Sequence, residues 1–244
     1  VSVFDSWILS PRPNAHARLR LFCFSFAGGH AGTFRRWAEL LPDSIQVCAV
    51  QLPGRQRRIH EPPFLRMEPL VDTLAEVLRP FLERPFAIFG NCTGSLIGFE
   101  LARRLTPRHL FVSCCRAPQL PDLDPPIHAL PDEDVRRELD RMGGTPPELM
   151  AHPELLTLLL PTLRSDFELA ETYAYRDGAP LACPLTVFGG RSDSVVTPAQ
   201  LEAWRQQTSN SFALHMVEGG HYLLEPASAA LCHAVAATLE MTDA

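Results

Sequence analysis

The sequence predicts an α/β fold, a mainly parallel sheet flanked by helices, and two observations carry that reading. Short branched and aromatic runs alternate with helical patterns, as strands joined by crossover helices require. The alternation breaks once, at roughly residues 119 to 180, where helical patterns follow one another without a strand-like run, so a helical insertion is expected there. The 244 residues, 46% of them hydrophobic, are enough to bury a full core, and one domain over 1–244 is expected.

The elements follow in order. Strands are predicted at 19–26, 45–50, 85–89, 109–114, 184–188 and 212–217. Leu70, Leu74, Val77, Leu78 and Phe81 recur at helical spacing and end near Pro85. A second helix begins behind Cys92 and stops before Pro107. Within the insertion, Asp134 to Met142 reads as a helix ended by Gly143-Gly144, with further helices at Pro153 to Leu160 and Arg164 to Tyr175. It fits either a lid over the strand ends or a peripheral layer that only packs. A last helix covers roughly 225 to 239, with Pro226 in its first turn, where a missing N–H is harmless.

Composition narrows the function classes. Charged residues make up 20% of the chain, which argues against disorder, and the net charge of −6 argues against a nucleic-acid binder. Seven cysteines without scaffold spacing fit free thiols in a reducing compartment. Cys114 and Cys115 would point to opposite faces of a strand, so no shared metal is expected. No apolar stretch is long enough to span a bilayer, and a soluble cytoplasmic monomer is the expectation.

The chemistry centres on Phe86 to Gly94, an apolar strand running into the turn Gly90-Asn91-Cys92-Thr93-Gly94. Such a turn lifts its central side chain clear at a helix N-terminus, so Cys92 is the candidate nucleophile. Two more strands end in glycines followed by a titratable group. Asp193 follows Gly189-Gly190, and His221 follows Gly219-Gly220. The chain order nucleophile, acid, base is that of α/β-hydrolases. The loop Phe26-Ala27-Gly28-Gly29 after the first strand lacks the Lys-Ser/Thr of a phosphate loop. It fits an oxyanion hole instead, formed by the N–H groups of Ala27 and Thr93. Phe26, Asn91, Met142, Met150 and Tyr173 are candidate substrate-lining residues. His30 fits either the entrance or a helix cap, and His215, inside a strand, reads as packed.

With these residues in place, the sequence resembles the type II thioesterases, free-standing α/β-hydrolases that serve polyketide and nonribosomal peptide synthases. The likeness spans nearly the whole chain. It includes Cys23 to Gly29, Val50-Gln51-Leu52-Pro53-Gly54-Arg55, the elbow, Gly143 to Pro146, Gly189 to Asp193 and Gly219 to His221. The resemblance implies a helical lid over a channel that admits the phosphopantetheine arm of an acyl or peptidyl carrier protein. No bound cofactor or metal is implied, and the implied activity is hydrolytic release of acyl groups. Three features depart from the family pattern. The elbow usually reads Gly-His-Ser-Met-Gly, Ser25 stands where Pro is usual, and the linker Leu105 to His109 is short.

Sulfur at position 92 opens a second outcome. A cysteine acyl-enzyme is itself a thioester and keeps the acyl group activated. Transfer to an amine, alcohol or second carrier thiol therefore stands beside hydrolysis, with a catalytically idle carrier-binding protein as a third reading.

Overall fold

The computed structural model describes residues 6–121, 125–143 and 152–241. Among these, seven strands form one sheet in the order β1-β3-β2-β4-β5-β6-β7. The strands are β1 (Ile8–Leu9), β2 (Leu19–Phe24), β3 (Ile45–Val50), β4 (Phe86–Asn91), β5 (Leu110–Ser113), β6 (Leu185–Gly190) and β7 (Phe212–Val217). β1 pairs antiparallel with β3, and every other pairing is parallel. The six predicted strands are all present. β1 was not foreseen, because two residues carry no readable periodicity.

Parallel strands buried on both faces need apolar residues at every position, and alternate side chains feed two separate cores. Phe22 and Phe24 of β2 pack on the side of α2 (Met67–Leu78) and α3 (Thr93–Leu105). Leu21 and Cys23 face the side of α1 (Trp37–Leu40) and α7 (Ser228–Met241). On that second face the rings of Trp37 and Phe89 meet at 4.5 Å between centroids and Phe34 and Trp37 at 5.4 Å, both edge to face. Such pairs add about 1 kcal/mol each beyond simple burial.

The insertion supplies α4 (Asp132–Met142) and α5 (Pro153–Glu171). Val135, Leu139, Leu156, Leu160 and Leu163 form a third, smaller core between them. A short α6 (Pro198–Glu202) follows β6, capped by Thr197 and Gln200 in a reciprocal pair of hydrogen bonds.

Several details differ from the sequence reading. The two helices expected at Pro153 to Leu160 and Arg164 to Tyr175 are one continuous helix, with Pro161 inside it and Tyr173 and Tyr175 beyond its end. The α4 helix starts two residues early, with Asp132, Glu133 and Asp134 in a first turn that favours negative charge. It does end at Gly143, in the left-handed conformation at φ 60°. Pro226 precedes α7 rather than opening it. His215 is exposed on the edge strand β7, although its ring stacks on Phe188 at 5.6 Å. No helix among the described residues is long and apolar enough to cross a membrane.

Candidate active site

The parallel register brings the C-terminal ends of five strands, β2, β4, β5, β6 and β7, to one edge. Phe24 pairs with Gly90, Asn91 with Ser113, and Gly190 with Val217. Of these, β2, β4, β6 and β7 each release a loop carrying one of the residues the sequence singled out.

Cys92 stands between β4 and α3 with φ 50° and ψ −120°. A side chain in that region costs on the order of 1–3 kcal/mol, which the surroundings must hold in place. They do so through the Cys92 N–H to the Ser113 carbonyl at 2.8 Å, the Ser95 N–H to the Cys92 carbonyl at 2.9 Å, and the Ser95 hydroxyl to the Gly90 carbonyl at 2.8 Å. The turn also needs a bare backbone at Gly94. A β-carbon there would lie 2.4 Å from the Phe24 carbonyl oxygen and 2.5 Å from that of Ser25. The elbow is thus pressed directly onto the chain leaving β2.

Asp193 and His221 meet across the ends of β6 and β7. His221 Nδ1 donates to Asp193 Oδ2 at 3.0 Å, while Asp193 Oδ1 accepts from the N–H groups of Val195 (2.8 Å) and Val196 (3.0 Å). The Asp193 side chain is fully buried, and that of His221 is 10% exposed. The Cys92 side chain is the other neighbour of the His221 ring, which lowers the thiol's pKa.

Electrostatics follow from this chain of contacts. Burial pushes the Cys92 thiol up, but the hydrogen bond and charge of His221, with bonds from Thr93, outweigh it and hold the thiol below 9.0. Burial pulls His221 down, yet Asp193 on one side and Cys92 on the other raise it to about 10. For Asp193, burial is again outweighed, here by His221 and two backbone donors, and the carboxyl sits below 3.8. All three shifts favour a thiolate facing an imidazolium. Cys23, Cys48, Cys114, Cys183 and Cys232 move the other way, because burial dominates each of them.

The loop after β2 lies against the elbow. Its Gly29 N–H donates to the Phe26 carbonyl at 2.9 Å, and its Gly28 N–H donates to Asp166 of α5 at 2.7 Å. Thr93 occupies the first position of α3, with its N–H and hydroxyl toward the Cys92 sulfur. His30 caps the short 3₁₀ helix Ala31–Phe34, its Nδ1 accepting from the Gly32 N–H at 3.0 Å.

A cavity of about 420 Å³ opens beside Cys92 and His221. Met142 and Tyr173 line it, together with Leu96, Ile127, Phe167 and Val195. Of the other residues considered as lining, Phe26 packs edge-on against Tyr222 at 5.5 Å, and Asn91 is buried at the end of β4 with its Oδ1 unpaired. Met150 lies outside the described residues. Cys114 and Cys115 are not on opposite faces of a strand. β5 ends at Ser113, Cys114 turns with φ 48°, and both cysteines line the cavity. The Cys114 sulfur lies within 4.8 Å of ligand atoms on Asp193 and His221, but burial holds its thiol up at about 12.

Sequence reasoning missed Cys114 at the site, and it gave Asp166 no part there. It placed Arg55 only within the Val50 to Arg55 stretch, whereas Arg55 and Asp166 form a bidentate pair, both bonds 2.7 Å, with each side chain 6% exposed.

Residues 19–239 match the Thioesterase domain family. The chain belongs to the thioesterase family. This thioesterase is 45% identical to the linear gramicidin dehydrogenase LgrE of Brevibacillus parabrevis, over 96% of its own length and 92% of the relative's. It is 41% identical to the gramicidin S biosynthesis protein GrsT of Aneurinibacillus migulanus, covering 92% and 90% of the two chains. Among solved structures, the type II thioesterase BorB from the borrelidin biosynthetic cluster superposes on it with a TM-score of 0.88 at 36% identity, covering 97% of this chain and 98% of BorB. The mostly parallel seven-stranded sheet flanked by helices matches the α/β-hydrolase fold of such type II thioesterases.

Proposed function

We propose that this thioesterase hydrolyses acyl or peptidyl thioesters presented on the phosphopantetheine arm of a carrier protein, through an acyl-enzyme on Cys92. The relatives named for gramicidin and borrelidin biosynthesis support a nonribosomal peptide or polyketide assembly line as the setting. The observation that carries the proposal is the unbroken contact from Asp193 through His221 to Cys92.

In the proposed mechanism the Cys92 thiolate attacks the thioester carbonyl. The negative charge moves to the carbonyl oxygen, where the N–H groups of Ala27 and Thr93 receive it. The bond to the pantetheine sulfur then breaks, and the departing thiolate takes the proton from the His221 imidazolium. Acylation removes the Cys92 charge, one of the two supports that raise His221 toward 10. The ring is then better able to stay neutral and accept a proton from water. Hydroxide adds to the acyl carbon, the new tetrahedral species collapses, Cys92 leaves as thiolate and the free acid departs. Asp193 holds the imidazole in one orientation throughout. The α4 and α5 helices act as the lid, and the cavity lined by Met142 and Tyr173 takes the acyl chain.

The sulfur itself favours a second reading. Exchange of one thioester for another is close to balanced, whereas an oxygen ester at serine would lie downhill. Cys92 therefore keeps the acyl group reactive toward an amine, alcohol or second carrier thiol. Loading the enzyme from acyl-carrier thioesters and following the adduct by intact mass separates the two. Free acid formed at one rate whatever acceptor is added supports hydrolysis. An adduct that persists in water and discharges rapidly to an acceptor refutes it.

A further inference from the structure

The loop proposed to hold the oxyanion has every one of its peptide planes tied down, and one of those ties comes directly from the helical insertion. The plane that carries the Ala27 N–H also carries the Phe26 carbonyl, which accepts from the Gly29 N–H at 2.9 Å. In a trans peptide the two groups point opposite ways, and the described chain has no cis bond, so that turn sets the direction of the Ala27 N–H. The next plane carries the Gly28 N–H, which donates to Asp166 Oδ2 at 2.7 Å. The plane after Gly29 is held through its carbonyl, which accepts from Arg55 Nη1 at 3.0 Å.

Asp166 and Arg55 are in turn locked to each other by the bidentate pair. Arg55 is further held by its own Nε, which donates to the Pro53 carbonyl at 3.2 Å. Three residues before Asp166, one turn along α5, Leu163 covers Gly28. A β-carbon at Gly28 would fall 2.6 Å from its Cδ2, and the backbone there adopts φ 76°. A third tie sits one turn of α5 before Asp166, where the Thr162 hydroxyl donates to the Gly54 carbonyl at 2.8 Å.

We propose that Asp166 is a positioning residue for acyl transfer. By accepting the Gly28 N–H and fixing Arg55 on the Gly29 carbonyl, it sets the Ala27 N–H toward the developing oxyanion, so that helix α5 completes the oxyanion hole. This rests on the reading of Ala27 as an oxyanion donor and Cys92 as the nucleophile. It gives Arg55, in the Gln51-Leu52-Pro53-Gly54-Arg55 stretch, a role in the chemistry rather than in packing alone. It also ties catalysis to the seating of α5: a hole built this way is complete only while the helix rests on the loop.

The test separates positioning from stability by removing the ion pair in both arms. A buried charge left alone would unfold the site, so Arg55→Met accompanies each change at Asp166. R55M/D166N keeps an oxygen for the Gly28 N–H, and R55M/D166L has nearly the same shape without one. Each variant is assayed for thermal stability, for single-turnover acylation by an acyl-pantetheine thioester, and for alkylation of Cys92 by iodoacetamide. Alkylation displaces iodide at a saturated carbon and forms no oxyanion. The expected result is acylation about 10- to 100-fold slower in R55M/D166L than in R55M/D166N, within the loss that follows removal of one oxyanion donor. Melting temperatures and alkylation rates should be alike. Equal acylation rates in the two variants would overturn the proposal, and so would alkylation falling in parallel with acylation. If the wild-type enzyme acquires no acyl group at Cys92, the underlying reading of the site fails, and that result is visible without any change at Asp166.

Discussion

A β-carbon placed on Gly190 would lie 2.2 Å from the carbonyl oxygen of Gly220, so the loop carrying Asp193 and the loop carrying His221 touch through bare backbone. That approach is what allows the 3.0 Å bond between the two side chains. Gly190→Ala forces the loops apart, at a cost of about 1–3 kcal/mol for overpacking. The expected outcome is a lower melting temperature together with slower thioester turnover, checked by thermal unfolding and steady-state assay. A variant with wild-type turnover would show that the two loops tolerate separation.

Reactivity of Cys92 reports the thiolate. Because the thiol is held below 9.0, alkylation by iodoacetamide should rise with pH through a midpoint under that value. His221→Gln removes the bond and charge that oppose burial, so the midpoint should move upward. Alkylation rate against pH measures both. Coincident midpoints in the two proteins would mean that His221 does not activate the sulfur.

A thiolate formed by the His221 contact depends less on the carboxylate than a serine hydroxyl does. Asp193→Asn should therefore slow turnover more in a Cys92→Ser background than in the wild type, by a further factor of about 10 or more, given how strongly serine triads depend on their acid. Four rate constants in a double-mutant cycle give the answer. Equal losses in both backgrounds would contradict a preformed ion pair.

Much of this arrangement was legible in the sequence, for a physical reason. Glycines flank positions 92, 193 and 221 because backbone and carbonyl groups crowd the strand ends, and a crowded turn leaves a mark that one sequence can display. The positions of six strands in a mainly parallel sheet followed from alternating apolar runs in the same way. The Arg55–Asp166 pair left no such mark, since its two residues stand 111 positions apart and only folding makes one turn of α5 cover the loop after β2. Cys114 was hidden by the assumption that β5 ran through it, whereas the strand ends at Ser113 and the turn brings the sulfur to the cavity. The single α5 helix was hidden by Pro161. It stands between the two helices expected there, but the helix carries on past its missing N–H, and Ser165 donates its hydroxyl to the Pro161 carbonyl at 2.8 Å one turn later.

The cavity makes a prediction about chain length. Met142 lines it, and Met142→Trp fills part of its volume of about 420 Å³. Long acyl chains should then show a raised KM, while acetyl and other short groups should keep wild-type values. A panel of acyl-pantetheine thioesters of increasing length checks this. A uniform loss across the panel would place the acyl chain elsewhere.

The most direct test of the central claim is to find where the acyl group goes. Wild-type enzyme mixed with an acyl-pantetheine thioester, quenched in acid within the first turnover and digested, should yield the acyl mass on the peptide that contains Cys92. Cys92→Ala should show no adduct and should lose about 10³-fold or more in turnover, as removal of a nucleophile from such an assembly does. An acyl group carried on another residue, or turnover that survives Cys92→Ala, would contradict the assignment.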